Sequence, residues 1–110
     1  MNKVPLGEFE EIVLLTVAVL YDEAYGVAIK QEIEERLKRK VSVGALQAAL
    51  RRMENKGFLD SWLGEATQVR GGKRKRYFRV TSYGQRALAQ VRDTRNQLWD
   101  AIPNIAFKFQ

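Results

Sequence analysis

Two residue types are missing from this 110-residue chain: it has no cysteine and no histidine. Without cysteine there is no disulfide framework and no thiolate metal site. Without histidine the usual general base, the usual zinc ligand and every Ser–His or Cys–His nucleophile pair are gone. An enzyme is therefore the least expected class. Long apolar runs are scarce as well. The longest, Ile12 to Tyr21, is broken only by Thr16 and is about half of the ~20 residues that a membrane helix needs. A secretory signal is not expected either, because Lys3 is soon followed by Glu8, Glu10 and Glu11. The default expectation is a soluble cytoplasmic protein with no cofactor and no metal.

What the chain does have is positive charge. Lysine and arginine number 19 against 13 acids, a formal net charge of +6, which favours a polyanionic partner. Clustering sharpens this. Arg70, Lys73, Arg74, Lys75, Arg76 and Arg79 put six cations into ten residues, with no acid among them. Gly71-Gly72 inside the run lets a loop come close to a phosphate backbone. A cationic loop tip is equally compatible with a merely solvated surface, so its neighbours decide.

Those neighbours read as three helices, a hairpin and a last helix. Leu6 to Leu20 has Leu6, Phe9, Val13, Val17 and Leu20 at helical spacing. Ile12, Leu14, Leu15, Ala18 and Val19 make the same segment apolar nearly all round, which calls for a second cover such as another subunit. Asp22 is an N-cap candidate for a second helix beginning near Glu23 or Ala24. Ile29, Ile33 and Leu37 line its apolar face, and Lys38-Arg39-Lys40 closes it with charge that suits its dipole. Ser42 is the next cap, for a helix from Val43 to about Asn55 that Lys56-Gly57 stops. On this third helix Leu46, Ala49, Leu50 and Met53 form the core stripe, leaving Gly44, Gln47, Ala48 and Arg51 outside. Phe58 to Leu63 and Tyr77 to Thr81 are aromatic and β-branched and flank the basic loop, as in a long hairpin. Thr81 caps a final helix that Pro103 ends. Along it Leu88, Val91, Arg95, Leu98 and Ile102 make an a/d seam.

The order is a helix-turn-helix followed by a wing: mainly α with a small β-hairpin, residues 1–81 as the DNA-binding domain and 82–110 as a dimerisation helix with an apolar tail, in one compact unit. The third helix is the candidate for the DNA groove. Gln47 can bridge an adenine edge, and Arg51 a guanine edge or a phosphate. Ser42 and the amides near Val43 and Gly44 can hold a phosphate at the helix N-terminus. Trp62 is expected to pack on Arg79 or Tyr77 across the hairpin or in the core. Trp99 is expected in a subunit interface, or facing a cavity where it stacks on a planar effector.

The chain also resembles the PadR-type transcriptional regulators over nearly its whole length. The resemblance runs through Leu6-Gly7-Glu8-Phe9-Glu10, Leu14-Leu15, Glu23-Ala24-Tyr25-Gly26 and Ile33-Glu34-Glu35-Arg36. It resumes at Ser42-Val43-Gly44-Ala45-Leu46, then Ala49-Leu50-Arg51-Arg52-Met53-Glu54-Asn55-Lys56-Gly57-Phe58-Leu59, and ends with Gly71 to Thr81 and Gly84. It implies a winged helix-turn-helix repressor of the short form, dimerised through its last helix with help from the first, and in such members a small molecule is sensed between the subunits. Two departures stand out. Ala45, Gln47 and Ala48 replace the family's usual threonine, tyrosine and proline. Arg95 stands where drug-binding short-form members carry a tryptophan, one turn before Trp99. Together these readings give a DNA-contacting set of Tyr25, Gly26, Lys40, Ser42, Val43, Gly44, Gln47, Arg51, Arg70, Lys73, Arg74 and Lys75. The dimer set is Leu6, Phe9, Val13, Leu88, Val91, Arg95, Leu98, Trp99 and Ile102, and Trp99 with Ile12 would meet a small hydrophobic or aromatic effector. A protein-interaction module or an RNA-binding basic module is the competing expectation.

Overall fold

The computed structural model describes residues 6–65 and 74–107. Helix α1 spans Glu8–Leu20, α2 Gly26–Leu37, α3 Val43–Asn55 and α4 Ser82–Ala101; strands β1, Leu59–Leu63, and β2, Arg76–Val80, lie between α3 and α4. This is a winged helix. Among the described residues no helix is long and apolar enough to cross a membrane.

Helix α1 begins with Glu8, Glu10 and Glu11 in its first turn, where negative charge suits the helix dipole. Glu10 reaches back to accept the Gly7 N–H at 3.1 Å, meeting one of the amides that a helix start leaves unpaired. Val13, Leu14 and Val17 are fully buried. Val13, one of the expected dimer residues, is buried in the subunit's own core, with Leu6, Phe9 and Ile12 packed partly against that core. The outward apolar residues of α1 are Leu15, Ala18 and Val19. Because the segment is apolar on nearly every side, its period alone does not separate inner from outer residues.

Helix α2 starts later than Asp22 suggests. Tyr21–Glu23 form a 3₁₀ turn, and Tyr25 is the N-cap of a helix beginning at Gly26. The reason lies in pairing with the hairpin. The Ala24 carbonyl accepts the Phe78 N–H at 2.8 Å, and Tyr25 forms an antiparallel bridge with Tyr77. That pairing takes non-helical backbone at Ala24 and extended backbone at Tyr25. At the other end Leu37 is exposed, and Lys38 takes the left-handed conformation, φ 52°, that stops the helix.

The third helix obeys its sequence signals closely. Ser42 Oγ accepts the Ala45 N–H at 3.0 Å. Leu46, Ala49, Leu50 and Met53 are buried. Gly57, at φ 83°, ends α3 with Gly57 N–H to Glu54 C=O and Phe58 N–H to Met53 C=O hydrogen bonds, the double closure of a Schellman motif. The hairpin pairs Leu59 with Val80, Trp62 with Tyr77 and Leu63 with Arg76. Its inner face sends Leu59 and Phe78 into the core.

One residue ties three elements together. Thr81 caps α4 by accepting the Gly84 N–H at 3.0 Å. Its hydroxyl donates to the Gly57 carbonyl at 2.7 Å, and its N–H donates to the Phe58 carbonyl at 3.0 Å. Gly84 is wedged against the same spot: a Cβ there would lie 2.3 Å from the Phe58 carbonyl oxygen. Beyond this joint α4 buries Ala87 in the core and packs Leu88 partly against it, and every residue from Arg92 to Ala101 is exposed. At about 1.5 Å per residue this exposed stretch of α4 projects from the body, and the chain as a whole measures 62 × 36 × 21 Å.

Candidate nucleic-acid interface

The outer face of α3 presents Val43, Gly44, Ala45, Gln47 and Arg51, all exposed. Nothing large stands on its first turn, so backbone amides and the Val43 side chain are accessible there. Gln47 lies against the start of α2. A Cβ on Gly26 would come within 3.3 Å of its Nε2, so glycine at 26 leaves room for the amide. Between the two helix starts and β2 is a cleft of about 260 Å³, bordered by Tyr25, Gly26, Val43, Gln47, Lys75 and Arg76. The structure thus brings together Tyr25, Gly26, Val43, Gln47 and Lys75 from separate stretches of the sequence. Arg51 comes one turn after Gln47 on the same face. Lys40 is exposed on the joint before Ser42. Lys30 also borders the cleft; it carries no signal of that role in the sequence, where it sits among alternating charges on the polar face of α2.

The cations of the basic loop differ in their partners. Arg70 and Lys73 lie outside the described residues. The Arg74 Nε donates to the Gly64 carbonyl at 2.7 Å, closing the hairpin stem. Arg76 donates to Ser61 Oγ at 2.9 Å, which donates in turn to Glu54 Oε2 at 2.6 Å. Arg79 lies over the Trp62 ring, 4.9 Å from its centroid. Lys75 lies 4.2 Å above the ring of Tyr25, a contact that leaves an ammonium group able to donate outward. Trp62 meets the expectation made for it, stacking on Tyr77 at 5.9 Å and on Arg79.

Two carboxylates hold the frame behind this face. Glu10, only 7 % exposed, accepts from Arg52 Nε at 2.8 Å and from Lys56 Nζ at 3.4 Å, joining α1 to α3. Burial pushes its pKa up, but hydrogen bonds from Arg52 and the Gly7 amide, with the charge of Lys56, outweigh that and leave it below the usual carboxylate range. Glu34 accepts the Val41 N–H at 2.9 Å and Lys30 Nζ at 3.1 Å, which fixes the joint before α3. The Val41 amide, then Lys30, lowers its pKa. Arg39 pairs at the surface with Glu8, at 3.2 Å.

A second region is apolar. Leu15, Leu88 and Trp99 border a groove between α1 and α4, with Arg92 and Arg95 beside them. Arg95 donates to Glu11 at 3.1 Å. Leu88, Val91 and Ile102 are half-buried within the subunit, whereas Leu98 and Trp99 are 66 % and 65 % exposed. Among the described rings Trp99 meets the edge of Phe107, at 6.3 Å. Ile12 is half-buried against the core and is not on the border of that groove.

Known proteins share this arrangement. Residues 14–90 match the Transcriptional regulator PadR-like family. An uncharacterised protein of Lysinibacillus sphaericus is 32% identical over 87 residues, covering 77% of this chain and 75% of that protein. The X-ray structure of a PadR-like transcription factor from Bacteroides fragilis superimposes with a TM-score of 0.73 at 27% identity, over 89% of each chain. A PadR family transcription regulator from hypervirulent Clostridium difficile does so with a TM-score of 0.66 at 26% identity, over 84% of this chain and 92% of that one. With the helix-turn-helix, the wing and the family match in agreement, the chain belongs to the PadR-like family of DNA-binding transcriptional regulators.

Proposed function

We propose that the chain is a homodimeric repressor that binds a pseudo-palindromic operator. In this reading residues 1–81 carry the DNA contacts and residues 82–110 hold two subunits together. Helix α3 enters the major groove, with Gln47 and Arg51 choosing sequence and the Ser42–Gly44 amides on a phosphate. Lys40, the wing cations and the start of α2 take further phosphates. The α4 seam, continued by Leu98 and Trp99, meets its counterpart, and a small hydrophobic or aromatic molecule entering the α1–α4 groove beside Trp99 relieves repression. Such a regulator works in the cytoplasm, where the DNA is, and no catalytic step is assigned to it.

The observation that carries this reading is the outer face of α3 standing beside Gly26 and Lys75 in one open cleft. Replacing Lys73, Arg74 and Lys75 with alanine should weaken binding to every duplex and flatten its salt dependence. Equal affinity at all salt concentrations would remove the wing from the interface. Stronger binding to structured RNA than to duplex DNA at one salt concentration would overturn the DNA assignment. For the dimer, size-exclusion with light scattering should give twice the chain mass; a stable monomer would overturn it.

A further inference from the structure

A row of three aromatic rings crosses the base of the wing. Trp62 comes from β1, Tyr77 from β2, and Tyr25 from the segment bridged to β2 on its other side. Trp62 and Tyr77 stack with centroids 5.9 Å apart and planes 19° from parallel. Tyr77 meets Tyr25 edge-on at 5.6 Å. A cation finishes each end: Arg79 over Trp62 and Lys75 over Tyr25. None of the three rings is fully buried. The hydrophobic core lies on the opposite face of the hairpin, where Leu59 and Phe78 point. The row therefore does little for the core, and its geometry calls for another explanation.

We propose that Trp62, Tyr77 and Tyr25 are positioning residues for DNA binding: the row fixes the wing stem to the start of α2 and so sets where Lys75 stands relative to α3. Tyr25 immediately precedes Gly26, against which Gln47 rests. The far end of the row thus abuts the recognition helix itself. A cation on a loose stem loses conformational freedom when it settles on a phosphate; one already held in place loses less and binds more tightly. Gly64 points the same way. A Cβ there would lie 2.6 Å from Cε1 of Tyr77, so residue 64 must lack a side chain for Tyr77 to keep its place in the row.

The proposal rests on the DNA-binding reading of the wing, and the test separates the two. The unaltered chain is titrated with a mixed-sequence DNA duplex at several salt concentrations. Lys75→Ala should lower the slope of log affinity against log salt by about 0.9 for each subunit bound. Trp62→Ala should weaken binding roughly fivefold by loosening the stem, and Trp62→Phe should recover most of that. Gly64→Ala, which removes neither ring nor charge, should act in the same direction. The deciding measurement is the double variant. If the row works through Lys75, Trp62→Ala with Lys75→Ala binds no worse than Lys75→Ala alone. Losses that multiply would overturn the proposal, since Trp62 would then act on the DNA by its own contact. Unaltered affinity in both Trp62→Ala and Gly64→Ala would overturn it too. Should Trp62→Ala fail to fold, Gly64→Ala with Lys75→Ala closes the same cycle. Failure of the unaltered chain to bind any duplex would refute the DNA reading instead.

Discussion

The outer face of α3 and the distal half of α4 are both open to solvent, and they differ in every other respect. Helix α3 is capped by Ser42, closed by Gly57 and clamped from behind by Glu10 through Arg52 and Lys56. Apart from Val43, its open side is small or polar. The distal half of α4 packs on little of its own subunit, and its open side includes Leu98 and Trp99. A polar face on a rigid support is suited to a wet, charged partner. An apolar projection is suited to burial against a partner of similar character. The core closes before Arg92; past it α4 meets α1 through the exposed Arg95–Glu11 pair.

Four variants would break or sharpen that contrast. The largest expected effect is on α4. Leu98→Asp with Trp99→Ala should give a monomer by light scattering and lower affinity for a palindromic duplex on the order of 100-fold, the loss expected when two linked sites become independent. Helical content should hardly change by circular dichroism; general unfolding would show that the distal half supports the core after all. Next is Gly84→Ala, at the other end of the same helix. Its methyl group would press on the Phe58 carbonyl oxygen, and thermal melts should show about 1–3 kcal/mol of destabilisation. A neutral or raised melting temperature would mean that the joint yields.

Glu10→Gln comes third and tests the clamp behind α3. Arg52 is half exposed and so partly screened, which puts the expected cost at about 1–2 kcal/mol at neutral pH. The pH dependence carries the sign. A carboxylate whose folded pKa lies below its unfolded value stabilises above the unfolded value, and that contribution is lost as pH falls through the folded one. The gap between the unaltered chain and Glu10→Gln should therefore narrow below about pH 4; a gap constant with pH would assign the cost to packing. The smallest effect on overall affinity belongs to Gln47→Ala. Selection from random duplexes should return a different preferred sequence, with affinity for mixed duplexes nearly unchanged. An identical preference would move sequence choice away from Gln47.

Much of the fold is readable in the sequence where a local signal has no competitor. Ser42, Gly57 and Thr81 are caps with short-range chemistry, and each stands where its residue type requires. Helix α3 alternates cleanly between core and surface. Two places mislead because long-range contacts decide them. Asp22 is a good cap by type, yet pairing with β2 takes up the backbone at Ala24 and Tyr25 and moves the start of α2 to Gly26. Val13 falls on one of two apolar stripes of α1, and only tertiary packing shows which one is interior. The wing presents a third case. Its charge is plain to count, but the internal partners of Arg74, Arg76 and Arg79 depend on hairpin register and on Trp62, so the count overstates what the described part of the loop offers outward.

The knot at Thr81 has a geometric consequence. Because one side chain and its own amide bind the end of α3, the start of β1 and the start of α4, the angle between the reading helix and the projecting helix is held at a joint braced by Gly84. In a dimer paired along α4, that angle works like the hinge of a calliper tightened to one opening. The distance between the two α3 helices, and with it the spacing of half-sites that the protein accepts, would be set at residues that never meet DNA.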